Sequence, residues 1–207
     1  MDDNIFYAET QYGHTVKVLT EVYYGCLTNE AFYRLETTGI RSICSDNRFT
    51  TLLNLDLPRG NFDKYICKQD ISIAINLKHL QKLLKNIKKK DSITLFIKKS
   101  VPNKLGIKIV PIILTKKADK SETSFINIRE VTLSGIAIPT GYHFPKVIAS
   151  TDYQKMCKKM AVVPGKIINI TIQQDNFISF FCDGDIISSD VTLGTKDPNI
   201  SFYILDA

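Results

Sequence analysis

No apolar run in the 207 residues is long enough to cross a bilayer. The longest, near Ile107 to Leu114, is broken by Lys108 and Pro111, whereas a spanning helix needs about 20 apolar residues. No leader pattern opens the chain: MDDNIFYAET begins acidic and lacks a continuous apolar core. Cysteine is too sparse for a disulfide framework. Cys26, Cys44, Cys67, Cys157 and Cys182 are odd in number, widely spaced and form no C-x-x-C pair. They read as small core residues of a reducing compartment. Catalytic signatures are missing as well, with no P-loop, nucleophile elbow or H-E-x-x-H. His14, His79 and His143 are scattered without ligand spacing, and Asp183 and Asp185 sit where turn formers belong. An enzyme, a cofactor and a metal site are therefore not expected.

The residues that are present suit a globular chain. The composition is 44% apolar and 23% charged, enough to bury a real core. Twenty-seven Lys and Arg against 21 Asp and Glu give +6 and a pI near 9.0. That balance favours a polyanion, nucleic acid before membrane, where the charge is clustered.

It is clustered on helices. The stretch Leu77 to Lys88 places Leu77, Leu80, Leu83, Leu84 and Ile87 on one stripe, suited to packing on a sheet. Lys78, Lys82, Lys85 and Lys89 fall at steps of four, three and four on a second stripe. LQKLLK at Leu80 to Lys85 can be laid on YQKMCK at Tyr153 to Lys158, and more loosely on TVKVLT at Thr15 to Thr20. Helices are thus predicted over 14–26, 77–88 and 150–160, the last capped by Ser150 or Thr151. In the third, Tyr153, Met156, Cys157 and Met160 pack inward and Lys155, Lys158 and Lys159 face out. In the first, Val16, Leu19, Val22 and Tyr23 lie near one face. Strands are predicted over 31–37, 40–44, 49–55, 62–67, 71–75, 92–97, 104–114, 166–172, 178–182, 186–193 and 200–205. Residues 116–123 read as a loop and 125–141 as an extended connector. A single lysine stripe is most simply a solvated face. Its recurrence at matched register, with one acid (Asp152) in the second and third segments, points instead to phosphate contact. The aromatics form no stacking motif in the sequence, which favours duplex-backbone contact over single-stranded binding.

These features together resemble a DNA sliding clamp of the proliferating cell nuclear antigen family. The segments that carry the resemblance are IFYAETQYG from Ile5, GNFDKYICKQDISIAINLKHLQKLLKNIKKKDSITLFI from Gly60, GIAIP from Gly135 and YQKMCKKM from Tyr153. They occur in family order across almost the whole chain. The resemblance implies an α+β DNA-clamp (processivity) fold with repeated helix-plus-strands units and two similar domains. These would be 1–120, a connector 121–141, and 142–207, with the second domain incomplete because the family pattern continues past the position matched by Ala207. It also implies a ring around duplex DNA, homo-oligomeric with a trimer favoured. The ring would tether a DNA polymerase and other replication and repair proteins as a processivity factor, served by a clamp loader, in a nucleus or a viral replication factory. Lys17, Lys82, Lys85, Lys155 and Lys158 are the DNA-facing residues that the resemblance implies, and Lys78 and Lys159 join them as DNA-binding candidates from the lysine stripes. Ser45, Phe49, Thr50, Ile136, Ile138 and Pro139 match the pocket that takes short partner peptides. Ring closure is expected to pair Lys104 to Pro111 with Ile186 to Leu193 of the next subunit. The alternatives are a subunit of a checkpoint-type heterotrimeric clamp and a non-encircling accessory protein of clamp fold.

Overall fold

The computed structural model describes residues 3–27, 29–111, 121–132, 135–136, 138, 140, 148–164, 167–172 and 177–194. The chain divides into two compact units, Met1–Ala137 and Ile138–Ala207.

In the first unit, β1 (Asn4–Thr10) leads through α1 (Gly13–Cys26) to β2 (Glu30–Glu36), β3 (Gly39–Ser45) and β4 (Leu52–Pro58). A short 3-10 turn at Arg59–Asn61 precedes β5 (Lys64–Cys67), β6 (Ile71–Asn76) and α2 (Leu77–Leu84). The unit finishes with β7 (Ser92–Lys98), β8 (Val101–Val110) and β9 (Glu122–Glu130). The nine strands form one sheet in the order β4-β3-β2-β6-β9-β8-β7-β1-β5, antiparallel at every pairing. Although β5 ends the strand order, its Tyr65 hydroxyl donates to the carbonyls of Glu36 (2.6 Å) and Gly39 (2.8 Å) beside the β2–β3 turn, so the sheet curls back toward β2 and β3.

The period of two decides which face is inside. Phe6 and Ala8 of β1, Ile73 and Ile75 of β6, Ile93 of β7, Leu105 and Ile107 of β8, and Ile126 and Ile128 of β9 are buried together. Both helices cover this face. Leu80 and Leu84 of α2, with Ile87 just beyond it, join that core, and Tyr23 of α1 meets Leu77, Ala31 and Cys44 in a second cluster. Each fully buried Leu contributes about 1.5–3 kcal/mol of transfer free energy, so the apolar stripe of α2 holds that helix to the sheet.

The second unit repeats a helix followed by three antiparallel strands: α3 (Ser150–Met160), β10 (Ile168–Ile172), β11 (Ile178–Asp183) and β12 (Ser188–Leu193), in sheet order β10-β11-β12. By element order α3 is the counterpart of α1, although its sequence matched the α2 segment better. Met156 and Met160 pack on Ile178, Phe180 and Cys182 with Val163. On the same face, Ile168, Ile170 and Ile172 of β10 lie opposite Cys182, Phe180 and Ile178 yet stay exposed. Among the described residues no second helix covers them.

Several expectations are corrected. Residues 122–130 are strand β9, paired with β8 and β6, so the connector does not begin at 121 and the 116–123 loop ends before Glu122. The alternation Phe125-Ile126-Asn127-Ile128 was the period-two signal, masked in the sequence by Gly135 and Pro139. Residues 4–10, not predicted as a strand, are β1. The second helix stops at Leu84, because the chain then tightens: the Lys85 and Ile87 amides donate to the carbonyls of Lys82 (3.4 Å) and Leu84 (3.1 Å). That turn tucks Ile87 into the core, and the Asp91 carboxylate accepts from the Lys88 amide at 2.8 Å. The third helix has Ala149 at its N-cap position and no side-chain cap. Cys157 is exposed rather than inward, and Tyr153 is half exposed with its ring edge-on to Phe180 at 6.4 Å, so Met156 and Met160 carry the packing of α3 on β11. Val22 of α1 is likewise exposed. The predicted strand 200–205 and residues 112–114 of the predicted strand 104–114 fall outside the described residues.

Candidate nucleic-acid and partner interfaces

The α2 helix is built to show one face. Asn76 at its N-cap accepts from the His79 amide (3.0 Å), satisfying one of the free donors at the helix start. Leu77, Leu80 and Leu84 are buried, while Lys78, Lys82 and Lys85 are exposed. Among the described residues none of these three ammoniums meets a carboxylate. Lys17 differs. It is half-buried, and its ammonium donates to the Lys85 carbonyl (2.8 Å), joining α1 to the C-terminal end of α2, where a cation is favoured by the helix dipole.

On α3, Lys155, Lys158 and Lys159 are all exposed. Lys155 lies 3.8 Å from Asp152 one turn earlier, and Lys159 donates to the Asp190 carbonyl of β12 (3.3 Å). Exposed pairs of this kind contribute little, about 0–1 kcal/mol, so the charges stay available to a polyanion.

The partner-peptide candidates occupy two places. Ser45 ends β3 and enters a tight turn. The Asp46 carboxylate accepts from the amides of Thr50 (2.7 Å) and Thr51 (2.8 Å) and from the Thr50 hydroxyl (2.8 Å). The Thr51 amide first, then the Thr50 hydroxyl, hold the Asp46 carboxyl below its ordinary value of 3.8. Inside this turn Phe49 takes φ 55°, a conformation rare for a bulky residue, and its ring is 84% exposed. The turn holds an aromatic ring out in water. Ser45 lines a groove with Asp46, Asn47, Leu27, Glu30 and Phe32. Ile136 lines another, beside Phe32, Ile43, Arg41 and Arg129. Phe32 borders both grooves and was missed in the sequence; its place, one residue past the buried Ala31 on a strand with an outer face, is the signal that marks it. Ile138 is exposed, and Pro139 lies outside the described residues.

The Lys104 to Pro111 edge expected for ring closure is not an edge, since β8 is paired with β7 on one side and β9 on the other. Glu122 to Asn127 of β9 are paired only with β8 among the described residues. The partner segment within Ile186 to Leu193 is β12, at the end of its sheet among the described residues. No group of His, Cys, Asp and Glu among the described residues is placed to hold a metal ion.

The folded units are those of a DNA clamp, an α+β fold in which helices cover one face of antiparallel sheets. The crystal structure of proliferating cellular nuclear antigen from Entamoeba histolytica superposes with a TM-score of 0.78 at 19% identity, covering 93% of this chain and 75% of that one. Residues 5–130 match the family model described as proliferating cell nuclear antigen, N-terminal domain. The chain belongs to the proliferating cell nuclear antigen family. Among curated relatives, a DNA polymerase sliding clamp of Thermococcus onnurineus is 25% identical over 174 residues, covering 84% of this chain and 66% of its own length. A proliferating cell nuclear antigen of Dictyostelium discoideum is 22% identical over 176 residues, with the same coverage. The chain thus spans about two thirds of the length of the relatives that it matches.

Proposed function

We propose that this chain is a subunit of a sliding clamp that encircles duplex DNA and tethers a polymerase as a processivity factor. The carrying observation is the face of α2, with buried leucines beneath three exposed lysines that meet no carboxylate among the described residues, in a chain of this family. Encirclement removes dissociation as a competing step, so the contacts with DNA stay weak, mobile and indifferent to sequence. Lysine suits that role better than arginine, because it offers a point charge without a forked geometry. The role requires no catalytic group.

In this reading Lys17, Lys78, Lys82, Lys85, Lys155, Lys158 and Lys159 face DNA, with Lys17 also donating to the Lys85 carbonyl. Partner proteins dock short motifs over Phe49, Thr50 and the groove edged by Ser45, with Ile136, Ile138 and Pro139 supplied by the connector, which starts after Glu130. Docking raises the effective concentration of the polymerase at the template. Ring closure between identical copies, three being favoured, adds β12 of one subunit to the free half of β9 of the next, in place of the occupied β8. A clamp loader opens the ring, and the setting is a nucleus or a viral replication factory. The test neutralises Lys82, Lys85, Lys155 and Lys158 together. DNA-dependent stimulation of a polymerase falls while the thermal unfolding midpoint stays put; unchanged stimulation contradicts the proposal.

A further inference from the structure

Strand pairing gathers, from five separate parts of the sequence, one line of side chains on the sheet face opposite the helices. Ile66 of β5 lies opposite Tyr7 of β1, Tyr7 opposite Phe96 of β7, Phe96 opposite Gly106 of β8, and Gly106 opposite Phe125 of β9. Their sequence neighbours Phe6, Ala8, Ile97, Leu105, Ile107 and Ile126 are buried in the core. Successive side chains of a strand alternate faces, so the line points outward. Gly106 shapes it. A Cβ there would sit 2.3 Å from the Phe96 ring, so the missing side chain lets that ring lie down across β8. Phe96 reaches Phe125 edge to face, with centroids 5.9 Å apart, and Phe125 is 53% exposed.

Cations surround the line. Lys64 stands over the Tyr7 ring at 5.2 Å and Lys98 over the Phe96 ring at 6.0 Å. Lys104 and Lys108, two residues either side of Gly106, share the outward face. Across these strands the acid on that face is Glu9, which accepts the Tyr7 hydroxyl at 2.6 Å.

We propose that this face is a binding platform for single-stranded nucleic acid. Unpaired bases stack on aromatic faces whatever their identity, and phosphates need mobile cations beside the stack. The exposed Phe125 ring, standing edge-on to Phe96, offers a face for a base, and Lys64, Lys98, Lys104 and Lys108 offer the cations beside it. Duplex DNA hides its base faces, so unpaired bases are the partner that these rings and cations fit. The platform lies on the opposite side of the sheet from α2, so it is a second nucleic-acid contact, separate from encirclement.

The test measures fluorescence anisotropy of a labelled oligothymidylate with the full chain, its helix lysines Lys78, Lys82, Lys85, Lys155 and Lys158 changed to Ala. Binding persists in that background. Adding Phe96→Leu or Phe125→Leu, which keeps apolar bulk, weakens it about fivefold or more for each ring. Should Phe96→Leu fail to fold, the exposed set Lys64→Gln, Lys98→Gln and Lys108→Gln serves instead, weakening binding and flattening its salt dependence. An abasic oligonucleotide of equal length binds more weakly and ignores the Leu substitutions. Equal binding of abasic and thymidylate strands overturns the proposal. So does capture of phosphatidylserine vesicles or polyglutamate without binding of the oligothymidylate.

Discussion

Asp46 sets the β3–β4 turn through three hydrogen bonds to Thr50 and Thr51, and that turn in turn fixes where Phe49 points. Because those bonds favour the ionised carboxylate, its folded-state value lies below the ordinary 3.8. The sign follows: the turn is fully supported above the ordinary value, and the support is lost as pH falls through the lowered one. The Thr50 and Thr51 amide resonances are therefore expected to titrate with a midpoint below 3.8, and a midpoint at or above it contradicts the bonding described. Asp46→Ala releases Phe49 from its positive φ and weakens partner-peptide binding, while the sheet core is untouched; calorimetric titration with a clamp-binding peptide checks this. Lys17 makes a different point at the same scale. Its register in the sequence matched the lysines proposed to face DNA, and its ammonium also donates to the Lys85 carbonyl. Lys17→Ala is expected to cost about 0.5–1.5 kcal/mol of stability, read as a lowered unfolding midpoint, which an exposed lysine would not.

At the scale of elements, α2 separates its two stripes cleanly. Leu84→Ala removes a side chain with no exposed surface and is expected to cost about 2–5 kcal/mol, whereas Lys82→Ala stays within about 0.5 kcal/mol; denaturant unfolding of the two variants decides. This division was legible in the sequence, since a helix that packs on a sheet must show a 3.6-residue period in its leucines. Its end was not, because Ile87 keeps the same period while already in a turn. The strand β9 was hidden for a related reason. Its alternation covers only Phe125 to Ile128 clearly, and the Gly and Pro that follow dominate a reading by turn residues. Phe49 was legible only through resemblance, as nothing in the letters around it announces a left-handed aromatic held by a preceding carboxylate. The outward row Tyr7, Phe96 and Phe125 could not be seen at all, because register across five strands is a tertiary fact that no local period encodes.

For the whole molecule, the repeated helix-and-three-strand unit explains why one chain can supply basic helices more than once. In the first unit both helices cover the sheet. In the second, α3 alone does so among the described residues, and Ile168, Ile170 and Ile172 keep 46%, 62% and 61% of their surface exposed. Exposed isoleucines along a strand invite association. The replacement Ile170→Thr is thus expected to leave the α3 packing intact and to reduce concentration-dependent aggregation, measured by light scattering. The proposed function, however, is topological: weak lysine contacts would suffice for a closed ring that cannot fall off the duplex. The most direct measurement loads the protein, with a clamp loader supplied, onto a nicked circular duplex and follows its retention through a high-salt wash before and after the circle is cut once. Retention on the circle and release on cutting is the result expected. Equal retention, or equal loss, on circular and linear DNA contradicts encirclement.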